Sequence, residues 1–351
     1  MKKILMVLMV FLMISAGMVF AGGQQEDAAA DTSGLPVVKM GLAMQSKMAP
    51  AFQAWEDYLY TRVQYEAEER GYVVEWTATN ANGDSVKQSN DIKDLLAKGS
   101  EVVFVPCNDS QAILASVEEV HEAGALYVSY CRAVSPDAKG AQVPDTTVNF
   151  ASEEQAYVGV MKMFEIMKAD GIEPTTMIDV HGQVIDENAT YREIGLRRAL
   201  VDSGYPDLEV IVCDSGAWEP DVARDSVDAA LQAHPEANCL YTSSDFMMPG
   251  IQVAMENNDK WYPRGEENHV YLASSDIFPI AIDMLQAGYI DTAVDQGCWM
   301  FAVNAAASAF DLLEGKEVPK MQLTLGTLAT NDNINDLIAD PDIFFWGNDY
   351  K

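Results

Sequence analysis

The chain has 351 residues, is 49% hydrophobic and carries a formal net charge of −32. That length and apolar fraction allow two ordinary domains, each with a full core. So negative a chain repels phosphate backbones and anionic lipid, which argues against nucleic acid or a membrane surface as its partner.

The first segment, MKKILMVLMVFLMISAGMVFAGG, has a basic start at Lys2 and Lys3, an apolar run from Ile4 to Ile14, and Val19-Phe20-Ala21 before Gly22. This is the layout of a secretory signal peptide, residues 1–21, cut after Ala21. The apolar run is short for a spanning helix. The first cysteine is Cys107, so no lipid anchor is expected and the reading is a soluble periplasmic protein. Residues 22–36 read as a flexible polar linker.

Strand and helix then alternate. VVKMGLAM, 37–44, predicts a buried strand. In the helix that follows, Phe52, Trp55, Leu59, Val63 and Ala67 recur every three or four residues and mark one face, which Gly71 ends. Next come strand 72–78, helix 84–98 with Asp84 as N-cap, strand 101–106, helix 109–123 and strand 125–130. The pattern restarts with helix 152–169, strand 175–180, helix 190–203, strand 208–213, helix 221–233 and strand 238–243. It continues with helix 246–257, strand 269–275, helix 278–287 and strand 289–295. A helix at 299–314 and a strand at 321–328 complete it.

Short apolar strands separated by helices predict parallel sheets covered on both faces. The fold class is α/β: two doubly wound Rossmann-like lobes joined by a multi-strand hinge. The N-terminal lobe is expected over 37–146 plus 297–322, and the C-terminal lobe over 147–296 plus 323–345. The stretch 331–351 has no assigned role.

Ligands of such sheets sit beyond the carboxyl ends of the strands. The residues there are polar groups and aromatics with hardly any histidine. Paired donors and acceptors suit hydroxyls, and aromatic faces suit the C–H faces of a sugar ring. The four histidines are scattered, the five cysteines match no zinc spacing, and there is no P-loop, GxGxxG or GxSxG. No metal, cofactor or catalytic residue is assigned, and the protein reads as a binding protein rather than an enzyme.

Cys131 beside Arg132 has two readings. A neighbouring guanidinium can activate a thiol; alternatively, the pair is a pocket corner in which the arginine acts. No base can be nominated nearby, which favours the second. Cys107 and Cys131 end neighbouring strands within disulfide reach, so a bridge beside the pocket is an open alternative.

The stretch TATNANGDSVKQSNDIKDLLAKGSEVVFVPCNDSQAILASVEEVHEAGALYVSYCRA, 77–133, is followed by Trp218, Ser244-Asp245, Asp276 and Gln296. In that stretch and in the spacing of those residues the chain resembles the periplasmic sugar-binding proteins of ABC transporters, the type I fold of the ribose-, galactose- and xylose-binding proteins. The resemblance implies that Phe52 and Trp218 clamp the ring faces and Arg132 donates to ligand oxygens. Asp276 accepts from a pair of hydroxyls, Gln296 bonds from the hinge, and Ser244 makes a weaker bond. Asn188 and Arg192 are the favoured contributors from DENATYRE, 186–193.

Cys131, Ala49 and Ala51 depart from the family pattern, with Lys47 or Gln45 as compensation. The ligand implied is a monosaccharide or a less hydroxylated relative, such as a polyol, deoxy sugar or furanose; a nucleoside-like ligand is the alternative. The implied partner is the permease of an ABC importer, served by a monomer. A chemoreceptor or histidine-kinase ectodomain is the sensory alternative.

Overall fold

The structure is a computed structural model that describes residues 34–349. The expected signal peptide and most of the linker lie outside the described residues. No helix among the described residues is long and apolar enough to cross a membrane.

The first sheet contains β1 (Val37–Met44), β2 (Val73–Asn80), β3 (Val102–Val105), β4 (Leu126–Tyr130), β5 (Thr146–Phe150) and β11 (Met321–Thr324). Its order is β11-β5-β4-β3-β1-β2, and every pairing is parallel. The second contains β6 (Thr176–His181), β7 (Glu209–Asp214), β8 (Cys239–Thr242), β9 (Tyr271–Asp276), β10 (Thr292–Asp295) and β12 (Leu328–Thr330). Its order is β12-β10-β9-β8-β6-β7; only β12 is antiparallel, against β10. Parallel neighbours need long crossovers, and the helices that supply them cover both faces of each sheet.

Helix α1 (Pro50–Arg70) shows why the local sequence suffices for most elements. Pro50 opens it with no N–H to lose, and Gly71 closes it at φ 72°. Its buried face includes Trp55, Tyr58, Leu59, Val63 and Ala67, and each large side chain buried there stabilises by roughly 1.5–3 kcal/mol. Helix α2 (Ser85–Ala97) starts where Asp84 Oδ1 accepts from the backbone N–H groups of Val86 and Lys87. Its buried Gln88 donates to the carbonyls of Ala43 and Pro106, both at 2.8 Å, and accepts from Asn108 N–H. That one amide ties together the ends of β1 and β3, where the winding direction of the sheet reverses.

The remaining helices are α3 (Leu114–Glu122), α4 (Ser152–Ala169), α5 (Glu187–Asp202), α6 (Pro220–Ala233), α7 (Met248–Asn257) and α8 (Pro279–Ala287). They are followed by α9 (Cys298–Leu313), α10 (Ile334–Ala339) and α11 (Trp346–Asp349). Helix α9 returns to the first sheet and packs beside α1, sharing its core through Phe301, Ala305 and Phe310.

Several details differ from the sequence expectation. β5 is a fully buried strand of TTVNF that lacked a strong apolar run; it extends to Phe150, so the expected lobe limit at 146/147 falls inside it. The expected strand 321–328 splits at Leu325-Gly326-Thr327, and its halves join different sheets. Gly326 is required there, because a Cβ would stand 1.7 Å from the Asp295 carbonyl oxygen. The chain therefore passes between the sheets after β5, after β10 and after β11.

Cys107 and Cys131 do not bridge; both are free. Cys107 packs with Val103, Val105 and Tyr127 on one face of the sheet, whereas Cys131 packs with Val128 and Tyr130 on the other. Cys131 has φ 62°, so it leaves the strand alternation and its side chain joins the same face as that of Tyr130.

Candidate functional site

A cavity of about 440 Å³ lies between the lobes, beyond the strand ends of both sheets. The first sheet's side contributes Gln45, Phe52, Trp55, Asn108, Arg132 and Phe150. The second sheet's side contributes Asp186, Asn188, Arg192, Trp218, Ser244, Phe246, Asp276 and Phe278, and Gln296 comes from the hinge segment after β10.

Arg132 follows the left-handed residue Cys131 and is 5% exposed. Its Nη2 meets Asp186 Oδ2 at 3.0 Å, and Nη1 donates to the Cys107 carbonyl at 3.4 Å. Asp186 N-caps α5 through the backbone N–H of Asn188. This ion pair crosses from one lobe to the other. Arg192 sits one turn further along α5 and is paired within its own lobe. Its Nη2 donates to Asp276 Oδ1, while Nε and Nη2 donate to Gln155 Oε1 at 3.0 and 2.8 Å. The Arg192 guanidinium lies over the Phe150 ring at 5.0 Å and 6.0 Å from that of Trp218. Gln155 also donates to the Val294 carbonyl at 2.9 Å, so it secures the end of β10 as Gln88 secures β1 and β3.

Two features hold the walls in unusual backbone shapes. Trp218 has φ 62°, with its ring laid against Gly182, where a Cβ would stand 2.1 Å from the indole. Asp276 and Ile277 have φ 97° and 53°. Left-handed L residues in succession cost about 1–3 kcal/mol each and persist only when their surroundings enforce them. Asp245, buried after β8, enforces this turn by accepting from the N–H groups of Ile277 and Phe278, both at 2.9 Å.

The sequence-assigned residues are not equivalent in place. Phe52, Arg132, Asn188, Arg192, Trp218, Ser244, Asp276 and Gln296 all line the cavity. Lys47 does not: it forms an exposed ion pair with Glu56 at 2.6 Å. The helix places Glu56 within reach, and water solvates the ammonium there. Asn188 is committed to the protein. Its Nδ2 donates to the Cys131 carbonyl at 3.0 Å, and its Oδ1 accepts from Asn149 and Ser152. Ser244 Oγ accepts from Phe246 N–H at 3.3 Å, starting a helical turn. The Gln296 carbonyl oxygen accepts from Trp55 Nε1 at 3.0 Å, which leaves its amide N–H groups for other partners.

Asp186, Phe246 and Phe278 were not assigned from sequence. The aromatics had a signal: Ser-Ser-Asp recurs at 243–245 and 274–276, each closely followed by phenylalanine. The two rings pack together at 5.3 Å. Asp186 had only its place just before a helix, a position any capping residue can hold.

The thiols are not reactive groups of this site. Burial pushes Cys107 up to about 12, and burial raises Cys131 well above its ordinary value despite Arg132. The activated-thiol reading of Cys131 and Arg132 therefore gives way to the pocket corner. What remains is a cavity with two guanidinium–carboxylate pairs and the aromatic side chains of Phe52, Trp55, Phe150, Trp218, Phe246 and Phe278. Among the buried donors without a partner among the described residues are Arg132 Nε, Trp218 Nε1 and Gln45 Nε2.

Residues 48–317 match the family described as periplasmic binding protein domain, and the chain belongs to this family. It is 21% identical over 283 residues to the ribose import binding protein of Bacillus subtilis (strain 168), covering 80% of this chain and 83% of that protein. A periplasmic ribose ABC transporter structure from Conexibacter woesei aligns with TM-score 0.72 and 16% identity, over 88% of this chain and 95% of the other. A periplasmic solute-binding protein of an ABC transporter from Actinobacillus succinogenes, with bound D-allose, aligns with TM-score 0.70 and 17% identity, over 86% and 99%. The chain is thus a binding protein rather than an enzyme, built of two α/β lobes in the type I arrangement.

Proposed function

Proceeding from that family membership, we propose that the protein captures a neutral monosaccharide or related polyol between its lobes and delivers it to the permease of an ABC importer. The observation that carries this reading is the charge pairing of the cavity. Arg132 with Asp186 and Arg192 with Asp276 leave no net charge from these four side chains to select an ionic ligand. Their remaining hydrogen-bonding capacity, with Gln45, Gln296 and Trp218, suits hydroxyls. Phe52, Trp218, Phe246 and Phe278 suit the apolar faces of a ring.

The ligand would touch both lobes and so bias them towards closure, as any ligand must if it is to shift that equilibrium. An affinity near micromolar, about −8 kcal/mol, is expected of a carrier that must also release its ligand. The signal peptide, cut after Ala21, would export the protein to the periplasm, where it acts as a monomer.

A thermal-shift panel of pentoses, hexoses, polyols, furanose derivatives, nucleosides and amino acids tests the reading. A rise with one sugar or polyol class, lost in Asp276→Ala and Trp218→Ala, supports it. A rise only with nucleosides or amino acids overturns the ligand class. Co-purification with the permease supports delivery; capture by a chemoreceptor or kinase ectodomain alone would assign the protein to sensing.

A further inference from the structure

Three consecutive aromatics near the chain end, Phe344, Phe345 and Trp346, lie outside the family-matched segment and outside the cavity lining. Phe344 stacks on Trp299 of α9, with centroids 5.0 Å apart and planes at 27°, and meets Tyr58 of α1 at 5.4 Å. Both partners belong to the first lobe. Phe345, 2% exposed, packs into the second lobe's core with Ile277, Ala281 and Ile282. Trp346 is fully buried and meets Phe278 edge-on at 4.6 Å, and its Nε1 donates to the backbone carbonyl of Asp276 at 2.7 Å. Gly347 follows, packed so closely that a Cβ would stand 2.2 Å from the Ile277 carbonyl oxygen.

The tail therefore grips the same left-handed turn that Asp245 grips from within the lobe. Asp245 holds the N–H groups of residues 277 and 278, and Trp346 holds the carbonyl of residue 276. The side chains of Asp276 and Phe278 line the cavity. A turn of two consecutive left-handed L residues relaxes when one of its restraints is removed.

We propose that Trp346 is a positioning residue for ligand binding: it fixes the 276–278 turn so that Asp276 faces Arg192 and Phe278 forms the wall, while Phe344 joins that turn to the first lobe. The binding consequence rests on the sugar-binding reading; the restraint of the turn does not.

Trp346→Phe keeps an aromatic ring and deletes the N–H donor. In the full-length, ligand-free protein, hydrogen exchange at the Ile277 and Phe278 amides should accelerate by about five- to tenfold, the equivalent of one lost hydrogen bond. Unchanged exchange there overturns the proposal. Affinity for D-ribose or D-allose, whichever binds the native protein more tightly, should fall by about five- to tenfold. It should fall by less when Asp276→Asn is already present, because part of the effect passes through that residue. A purely structural role would instead give losses that multiply, and that result overturns the positioning role. If neither sugar binds the native protein, these two are excluded as its ligands, and the exchange measurement still decides for or against Trp346.

Discussion

Arg132 and Arg192 line the same cavity and each meets a buried carboxylate, yet the first pair spans the lobes and the second stays within one. Asp276 and Gln155 hold Arg192 from elements of a single lobe, so that pair does not depend on how the two lobes sit. Arg132 belongs to the first lobe and Asp186 to the second, so any parting of the lobes would separate them. The same chemistry thus acts as part of a lobe's interior in one case and as a latch in the other. Asn188 reinforces the latch by bonding the Cys131 carbonyl across the same boundary.

Breaking the internal pair should have the largest effect. Arg192→Met leaves Asp276 buried without its cation, and a loss of about 3–5 kcal/mol in denaturant unfolding is expected. Adding Asp276→Leu should restore most of that stability while sugar binding stays absent, since the pair's neighbours tolerate an apolar replacement better than a lone charge.

Asp179 on β6 sharpens the contrast, because it is a carboxylate in the same lobe that accepts no hydrogen bond from a guanidinium among the described residues. It is 1% exposed, neither oxygen has a hydrogen-bond partner among the described residues, and burial pushes its carboxyl up to about 7. The folded state keeps this proton to higher pH than the unfolded chain, where aspartate titrates near 3.9. Its contribution is complete below about pH 4, declines as pH rises towards 7, and is gone above that. Asp179→Asn should flatten the fall in melting temperature between about pH 4 and 7. An unchanged slope would show that Asp179 is not the titrating group.

Breaking the latch should cost less stability and move the cleft more. For Asp186→Asn, roughly 1 kcal/mol of stability is expected to be lost, because the amide oxygen can still accept from Arg132, whose bond to the Cys107 carbonyl is untouched. The radius of gyration of the ligand-free protein in X-ray scattering should rise as the open form gains population. An unchanged radius would mean that Asn188 and the hinge hold the lobes without the ion pair.

Lys47 provides the smallest expected effect. Its pair with Glu56 is solvent-exposed, so Lys47→Ala should shift stability by less than about 0.5 kcal/mol and leave sugar affinity unchanged. A large loss of affinity would place Lys47 at the ligand after all.

How much of this was legible depends on the range of the interactions. Helix α1 could be read from its apolar spacing and from Gly71, and Asp84 from its place before α2; each is a local matter. β5 was hidden because its buried residues include Thr146, Thr147 and Asn149; Thr146 donates to the Pro319 carbonyl and Asn149 to Asn188, partners distant in sequence. Strand-end logic pointed to residues that line the cavity, but it could not separate Arg192, which faces a carboxylate, from Asn188, which bonds the protein on both sides. Cys131 looked like a partner for Cys107 because strand neighbours are close. One left-handed residue placed their side chains on opposite faces.

The sequence by itself determined the α/β alternation, the two-lobed plan and the set of polar and aromatic residues at the strand ends, because periodicity and caps act within a few residues. Only the tertiary structure decided which carboxylate meets which arginine, which donors remain without partners, and that Trp346 lies against the carbonyl of Asp276, 70 residues away. Those contacts follow from strand order and from the passages of the chain between the sheets, which bring distant residues together without any shared local signal.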